Sequence, residues 1–248
     1  MISILQRLAH PIDSAFVEGA LLLPTEAKEL VQNVSPGHWE DSMTLIIFAA
    51  ISLLVGMTMI QRLINIMPSL LGCFIRWKEC INLEASAQLS RDRDIVAKFA
   101  PIPLCMVAAN YSLWEISLMQ QLGPGMRFLC TFGAFLLYLG IRFGLHALFR
   151  PRSTSSRTYN VATKAFDTFL ISATILTLFS AAVMGVFRCE YELIRTVLFY
   201  EICGIYAIHF LRKSQILGSS MSLFSTFLYL CGLEILPTGI FAAVAAFL

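Results

Sequence analysis

Phe227-Leu-Tyr-Leu-Cys-Gly-Leu-Glu-Ile-Leu-Pro237 is an apolar run with a single carboxylate, Glu234, set three residues before a proline. Composition decides whether such a run is a core helix of a soluble domain or a bilayer crossing. Of the 248 residues, 57% are hydrophobic and 14% charged, and the mean hydropathy is +0.73. Soluble domains are about 45–50% apolar and about 25% charged. A chain this apolar cannot cover itself with polar groups, so the expected fold is all-α: a polytopic transmembrane helical bundle.

Working outward from that run, charges and breakers fence off about six stretches near the ~20 residues a crossing needs. They are expected near 43–60, 95–119, 127–149, 162–187, 192–211 and 221–244, the last holding the opening run. Pro101 and Pro103 should loosen the start of the second, Gly123-Pro124-Gly125 reads as a tight turn before the third, and 150–160 reads as a loop. Between the first and second, Leu63, Met67, Leu70, Leu71, Phe74, Trp77 and Ile81 recur at helical spacing, with Arg76, Lys78, Glu79 and Glu84 on other faces. This is an amphipathic interfacial helix with Trp77 at headgroup level, or else a helix packed on the protein itself. No internal repeat is evident.

Residues 1–42 read as an outward-facing tail with short interfacial helices, one over Ser14–Leu23 capped by Asp13 and one over Thr25–Val31. Pro11, Asp13 and Glu18 interrupt what would have to be the apolar core of a cleavable signal. Lys and Arg concentrate after the first, third and fifth crossings: Arg62, Arg76, Lys78, Arg91 and Arg93; then Arg150, Arg152, Arg157 and Lys164; then Arg212 and Lys213. By the positive-inside rule these loops are cytoplasmic and both termini lie on the non-cytoplasmic side.

Ionisable residues at membrane depth are costly and mark candidate sites. Here they are Glu115, Arg142, His146, Asp167, Glu201, His209 and Glu234, with Arg195 nearer the outer surface. Arg142 and Asp167 sit at similar depth on consecutive antiparallel helices and should form an ion pair. Glu201 and Glu234 fall near the midplane; if they face each other, one carries a proton. Arg195 is placed to bridge to Glu115 or to Glu234, and Glu201 shares a helix face with His209. The intramembrane polar site is therefore drawn from Glu234, Glu201, Arg142, Asp167, Arg195 and Glu115. Its use is as a proton path or as satisfied contacts between helices. Pro237 should kink the last helix and free the carbonyl of Leu233 beside Glu234, with Phe227, Cys231, Glu234 and Thr238 on one face.

Other classes find little support. Basic residues cluster at the ends of apolar runs, a pattern that offers no nucleic-acid surface. The seven cysteines suggest neither a disulfide framework nor a metal site, since Cys73 and Cys80 lack both C-x-x-C spacing and histidine ligands. No cofactor is expected. There is no H-E-x-x-H, no G-x-S-x-G and no phosphate-cradling glycine loop, so the expectation is no enzyme.

The closing motif Phe227-Leu-Tyr-Leu-Cys-Gly-Leu-Glu-Ile-Leu-Pro237 resembles the C-terminal signature of an uncharacterised, domain-of-unknown-function family of Bacteroidetes multi-pass integral membrane proteins. That pattern has Thr or Ala in place of Gly232 and an apolar residue in place of Thr238, so neither position takes a role from it. The resemblance implies an inner-membrane location in a Gram-negative cell envelope and no activity. The expected function is then a non-enzymatic subunit or assembly factor of an envelope complex, with lipid and other envelope membrane proteins as partners. The alternative is a small proton-coupled transporter using Glu201 and Glu234.

Overall fold

The computed structural model describes residues 16–17, 20–21, 43–113, 123–149 and 156–247. Two compact units are present, residues 1–38 and 39–248. In the first, Phe16–Val17 (β1) pairs antiparallel with Ala20–Leu21 (β2), Phe16 opposite Leu21 and Val17 opposite Ala20. This corrects the helix expected over Ser14–Leu23. Four apolar residues pair across two short strands as readily as they line a helix face. The helix expected over Thr25–Val31 lies outside the described residues.

The second unit is all-α: α1 Met43–Ile75, α2 Trp77–Ala85, α3 Ala87–Phe99, α4 Pro101–Asn110, α5 Pro124–Leu148, α6 Ser156–Val186 and α7 Tyr191–Gly218. They are followed by α8 Leu223–Leu230, a π-helical turn Cys231–Ile235 and α9 Leu236–Phe247. Among the described residues five helices are long and apolar enough to cross a membrane: α1, α5, α6, α7 and the α8–α9 run. Their polarity is inverted relative to a soluble bundle. Leu54 and Phe143 are 65% and 76% exposed, while Glu234 and Lys213 are 0% exposed. Only a solvent as apolar as lipid makes that arrangement favourable.

Helix ends follow local chemistry. α1 is longer than expected, running through Pro68 into the stretch expected to be amphipathic, and stops at Arg76 in extended conformation. Arg212 of α7 donates to the last α1 carbonyls, those of Phe74 at 2.6 Å and Ile75 at 2.9 Å, satisfying acceptors the helix leaves unpaired. α2 then packs on the protein rather than lying free: Cys80 and Leu83 are buried with Cys73, Ala162, Ile216 and Leu217. A side chain at Gly72 would meet Glu79 at 3.1 Å, so α1 and α2 approach closely there. Ser86 caps α3.

The expected crossing near 95–119 is not one helix. The chain breaks at Ala100, Pro101 starts α4 at a first-turn position where its missing N–H costs nothing, and α4 ends at Asn110 before Ser112 adopts a left-handed φ of 44°. The pair α3–α4 nevertheless bridges both ends of the bundle. At one end Asp92 of α3 meets Arg62 of α1, and at the other Val107, Ala108 and Leu113 pack with Ile194 and Leu198 near the start of α7. Among the described residues the candidate crossings are therefore the five long helices, and this broken pair packs alongside them. The ends of α1, α5 and α7 and the starts of α3, α6 and α8 share one end of the bundle, so among the described residues the basic stretches after α1 and at the end of α7 gather there. Phe48 packs on Phe128 at the start of α5, and α9 runs antiparallel to α5 with Phe241 on Tyr138. The start of α1 and the end of α9 therefore lie at the opposite, shared end.

Candidate functional site: a buried glutamate held by basic side chains

Glu234 sits in the π-helical turn between α8 and α9. The N–H of Leu236 bonds to the carbonyl of Cys231, five residues back, because Pro237 disrupts the regular ladder just beyond. A π turn rotates less per residue than an α turn. Glu234 is thereby swung into line with Thr226, Leu230 and Leu233, the buried residues of this segment, while Phe227 is 62% exposed. The expected face through Phe227 and Cys231 is thus displaced. The carbonyl that gathers side-chain donors is that of Glu234, which accepts from Thr238 Oγ1 at 2.7 Å and Tyr206 Oη at 3.1 Å. Thr238 is held in turn by Tyr206 at 3.0 Å and Tyr138 at 3.1 Å.

Two helices bring the basic groups, each as a pair spaced i, i+4 and so on one face. From α5, Arg142 makes a bidentate contact with Glu234, Nη1 to Oε2 and Nη2 to Oε1, the latter at 2.7 Å, and His146 Nε2 lies 3.4 Å from Oε1. From α7, Lys213 Nζ donates to Oε1, and His209 Nε2 lies 3.7 Å from Oε2. Lys213 also reaches His146 Nε2 at 3.3 Å, and His146 Nδ1 meets Tyr229 Oη at 3.1 Å. Tyr159 of α6 donates to the His146 carbonyl. Phe166 of α6 closes one side, its ring 3.8 Å from the Arg142 guanidinium carbon. His209 stands among Phe166, Phe169 and Tyr206, and neither of its nitrogens has a hydrogen-bond partner.

With neutral imidazoles this cluster holds two cations, Arg142 and Lys213, and one anion. Every member is at most 4% exposed. In such surroundings a charge without a partner costs several kcal/mol, so the carboxylate is what makes the two cations tolerable. Both oxygens are taken by Arg142 and Lys213, which leaves no open ligand position for a metal. Among the described residues no group of three His, Cys, Asp or Glu could hold one.

A second cluster lies at the basic end. Arg93, 2% exposed, binds Glu84 at 2.8 Å and Asp94 at 2.6 Å, and Lys164 of α6 binds Asp94 at 2.8 Å and Glu84 at 3.3 Å. Ser90 bonds Arg93 and Glu84 at 3.2 Å each. Two cations meet two anions here. Burial works against the Asp94 carboxylate, but hydrogen bonds from Lys164 and Arg93 prevail and hold it below its ordinary range. Burial likewise opposes the Arg93 charge, and its bonds to Asp94 together with the negative charges of Glu84 and Asp94 outweigh that.

The sequence-predicted residues are distributed differently from expectation. Arg142 and Glu234 come together, and the Arg142–Asp167 pair does not form: Asp167 makes no ion pair or hydrogen bond among the described residues. The α5 face carrying Arg142 turns toward the π turn, and α6 offers it the Phe166 ring. Glu201 does not face Glu234; its Oε1 accepts from Ser180 of α6, and its Oε2 is buried without a partner. Arg195 pairs with Glu192 at 3.6 Å and does not reach Glu234. Glu115 lies outside the described residues. Lys213, taken from the sequence as a loop cation, is fully buried, because α7 continues to Gly218 rather than ending near 211. The signal for it was the i, i+4 repetition of Arg142/His146 and His209/Lys213. Glu234 also lies closer to the basic end than the midplane: Lys213 is on the order of 8 Å from the end of α7, at ~1.5 Å per residue.

In comparisons with known proteins no family model matches the chain, and neither a curated protein nor a solved structure resembles it.

Proposed function

We propose that this polytopic membrane protein is a small, non-enzymatic, proton-coupled transporter in which Glu234 is the proton-carrying group. The observation that carries the proposal is a carboxylate at 0% exposure, inside a membrane-spanning bundle, surrounded by four basic side chains from two helices. A latch between helices needs one cation per carboxylate. Here there are two, together with two imidazoles, a composition suited to trading protons and partners rather than to a fixed bond.

Protonating Glu234 would release Arg142 and Lys213 at once and loosen α5 and α7 from the π turn. The groups that face Glu234 and set this balance are Arg142, His146 and Tyr138 of α5, Tyr206, His209 and Lys213 of α7, and Tyr229 of α8, with Tyr159 of α6 behind His146. The line His146, Tyr229, Tyr159 leads from the carboxylate toward the basic end, which the positive-inside rule makes cytoplasmic. Glu201, with its Ser180 contact, lies on α7 roughly 12 Å of axial rise from His209 and is the candidate relay toward the other side. An inner-membrane setting in a Gram-negative envelope, with both termini outside the cytoplasm, accords with the resemblance of the closing motif and with the shared end of α1 and α9.

The test is proton movement in proteoliposomes enclosing a pH-sensitive dye, challenged in turn with small anions, cations, amino acids and sugars. At least one solute class should drive acidification that Glu234→Gln abolishes. If no solute moves protons above protein-free vesicles, the transporter proposal fails and a subunit or assembly role takes its place.

A further inference from the structure

The way Arg142 holds Glu234 points to the class of substrate. A guanidinium presents two parallel N–H donors that match a carboxylate, and in this site both go to Glu234, with the Lys213 ammonium on the same carboxylate. We infer that Glu234 is a tethered occupant of a carboxylate-binding site, and that the transported solute is a small monocarboxylate that takes its place on Arg142 and Lys213 when Glu234 accepts a proton. This rests on the transporter proposal above and adds the substrate to it.

Three features support the exchange. Arg142 and Lys213 need an anion between them, so an incoming anion can replace the charge that Glu234 gives up, and an incoming cation is opposed. The fork is already filled, so an anion enters only by displacing Glu234, and a displaced carboxylate in a buried position is too costly to persist charged. It must leave as the neutral acid. The step balances as one proton and one carboxylate bound together: the proton forms an O–H bond on Glu234, the two hydrogen bonds from Arg142 pass to the solute, and the total charge of the site is unchanged.

The third feature is mechanical. Glu234 sits in a π turn, one residue wider than the α ladder on either side, and such a turn can shift by a residue without unfolding the helix. Its backbone carbonyl is held separately, by Tyr206 and Thr238, so the side chain can swing while the turn stays anchored. His209, fully buried with both nitrogens unpartnered, stands beside the position a displaced acid or an incoming carboxylate would take.

The test uses acetate, which reproduces the atoms that Glu234→Ala removes beyond the β-carbon. Purified full-length protein in detergent is titrated with sodium acetate and, at equal ionic strength, with sodium chloride, and thermal stability is followed. Glu234→Ala should be stabilised by acetate and bind it on the order of tenfold more tightly than the wild type, which must first displace its own occupant. Chloride should do much less, and adding Arg142→Met should abolish the response. Equal responses to acetate and chloride, or an acetate response that survives Arg142→Met, would overturn the inference. Should Glu234→Ala not fold, Glu234→Gln, which keeps the shape and loses the charge, is titrated in the same way with the same two outcomes. The two proposals fail separately: solute-driven proton flux without acetate rescue removes the carboxylate assignment alone, and acetate rescue without any flux removes the transporter.

Discussion

The Glu234 site and the Arg93 cluster are built from the same residue types and differ in balance and burial. At the basic end Arg93 and Lys164 meet Glu84 and Asp94, two cations to two anions, and Lys164 is 36% and Asp94 35% exposed. Around Glu234 two cations and two imidazoles meet one carboxylate, and no side chain is more than 5% exposed. A balanced cluster near water ties α2, α3 and α6 together and tolerates the loss of any one member. An unbalanced one away from water depends on a single group. Position and stoichiometry, more than the number of ion pairs, separate a fastening from a device.

The largest expected effect follows from that contrast. Glu234→Ala strands two buried cations and should cost about 3–5 kcal/mol, whereas Arg93→Ala leaves Glu84 and Asp94 with Lys164 and with water and should cost about 1–2 kcal/mol. Detergent-solubilised unfolding measures both, and equal losses would erase the distinction. Next in size is a difference within the Glu234 site. Arg142→Met removes two charge-assisted bonds and the Phe166 stacking, for a loss of about 2–3 kcal/mol. Lys213→Met removes the surplus charge and leaves a one-to-one pair with Arg142, so it should change stability by about 1 kcal/mol or less. A Lys213 variant as damaged as the Arg142 variant would mean that the surplus is absorbed in some other way.

The smallest effect is pH dependence at the basic end. The Asp94 carboxylate is held below its ordinary range in the folded protein, so the unfolded chain binds its proton more readily. The stability it contributes is complete above the ordinary carboxylate value of about 4 and is lost as pH falls through the lowered one. Asp94→Asn should flatten this acid limb of the unfolding midpoint against pH. Because the cluster borders water, raising the salt concentration should shrink the difference between Asp94→Asn and wild type while leaving the Glu234→Ala difference largely intact.

Much of the bundle was legible in the sequence because bilayer length is a coarse ruler. Apolar runs fenced by Arg62, Arg127 and Arg188 each became a helix, and the basic stretches after α1 and at the end of α7 fell at one end. Where the ruler failed, the causes were local. Pro101 divided the expected second crossing, since a proline supplies no N–H to continue the ladder, whereas α1 ran on past Arg62 and through Pro68 to Ile75. The site was half legible. Glu234 and Arg142 stood out as charges at membrane depth. Their pairing did not, because the π turn before Pro237 rotates Glu234 by an amount that no regular helical wheel contains. Lys213 was hidden by its position beside Arg212: side by side the two read as a loop, although α7 carries Arg212 outward to cap α1 and turns Lys213 inward.

The central claim is that Glu234 gives up Arg142 by taking a proton as a carboxylate enters. Calorimetric titration of wild-type protein with acetate, repeated in buffers of different ionisation enthalpy, counts the protons linked to binding. The account predicts uptake of about one proton per acetate bound in the wild type and none in Glu234→Ala. Acetate binding to the wild type without proton uptake, or with the same uptake in both proteins, would contradict it.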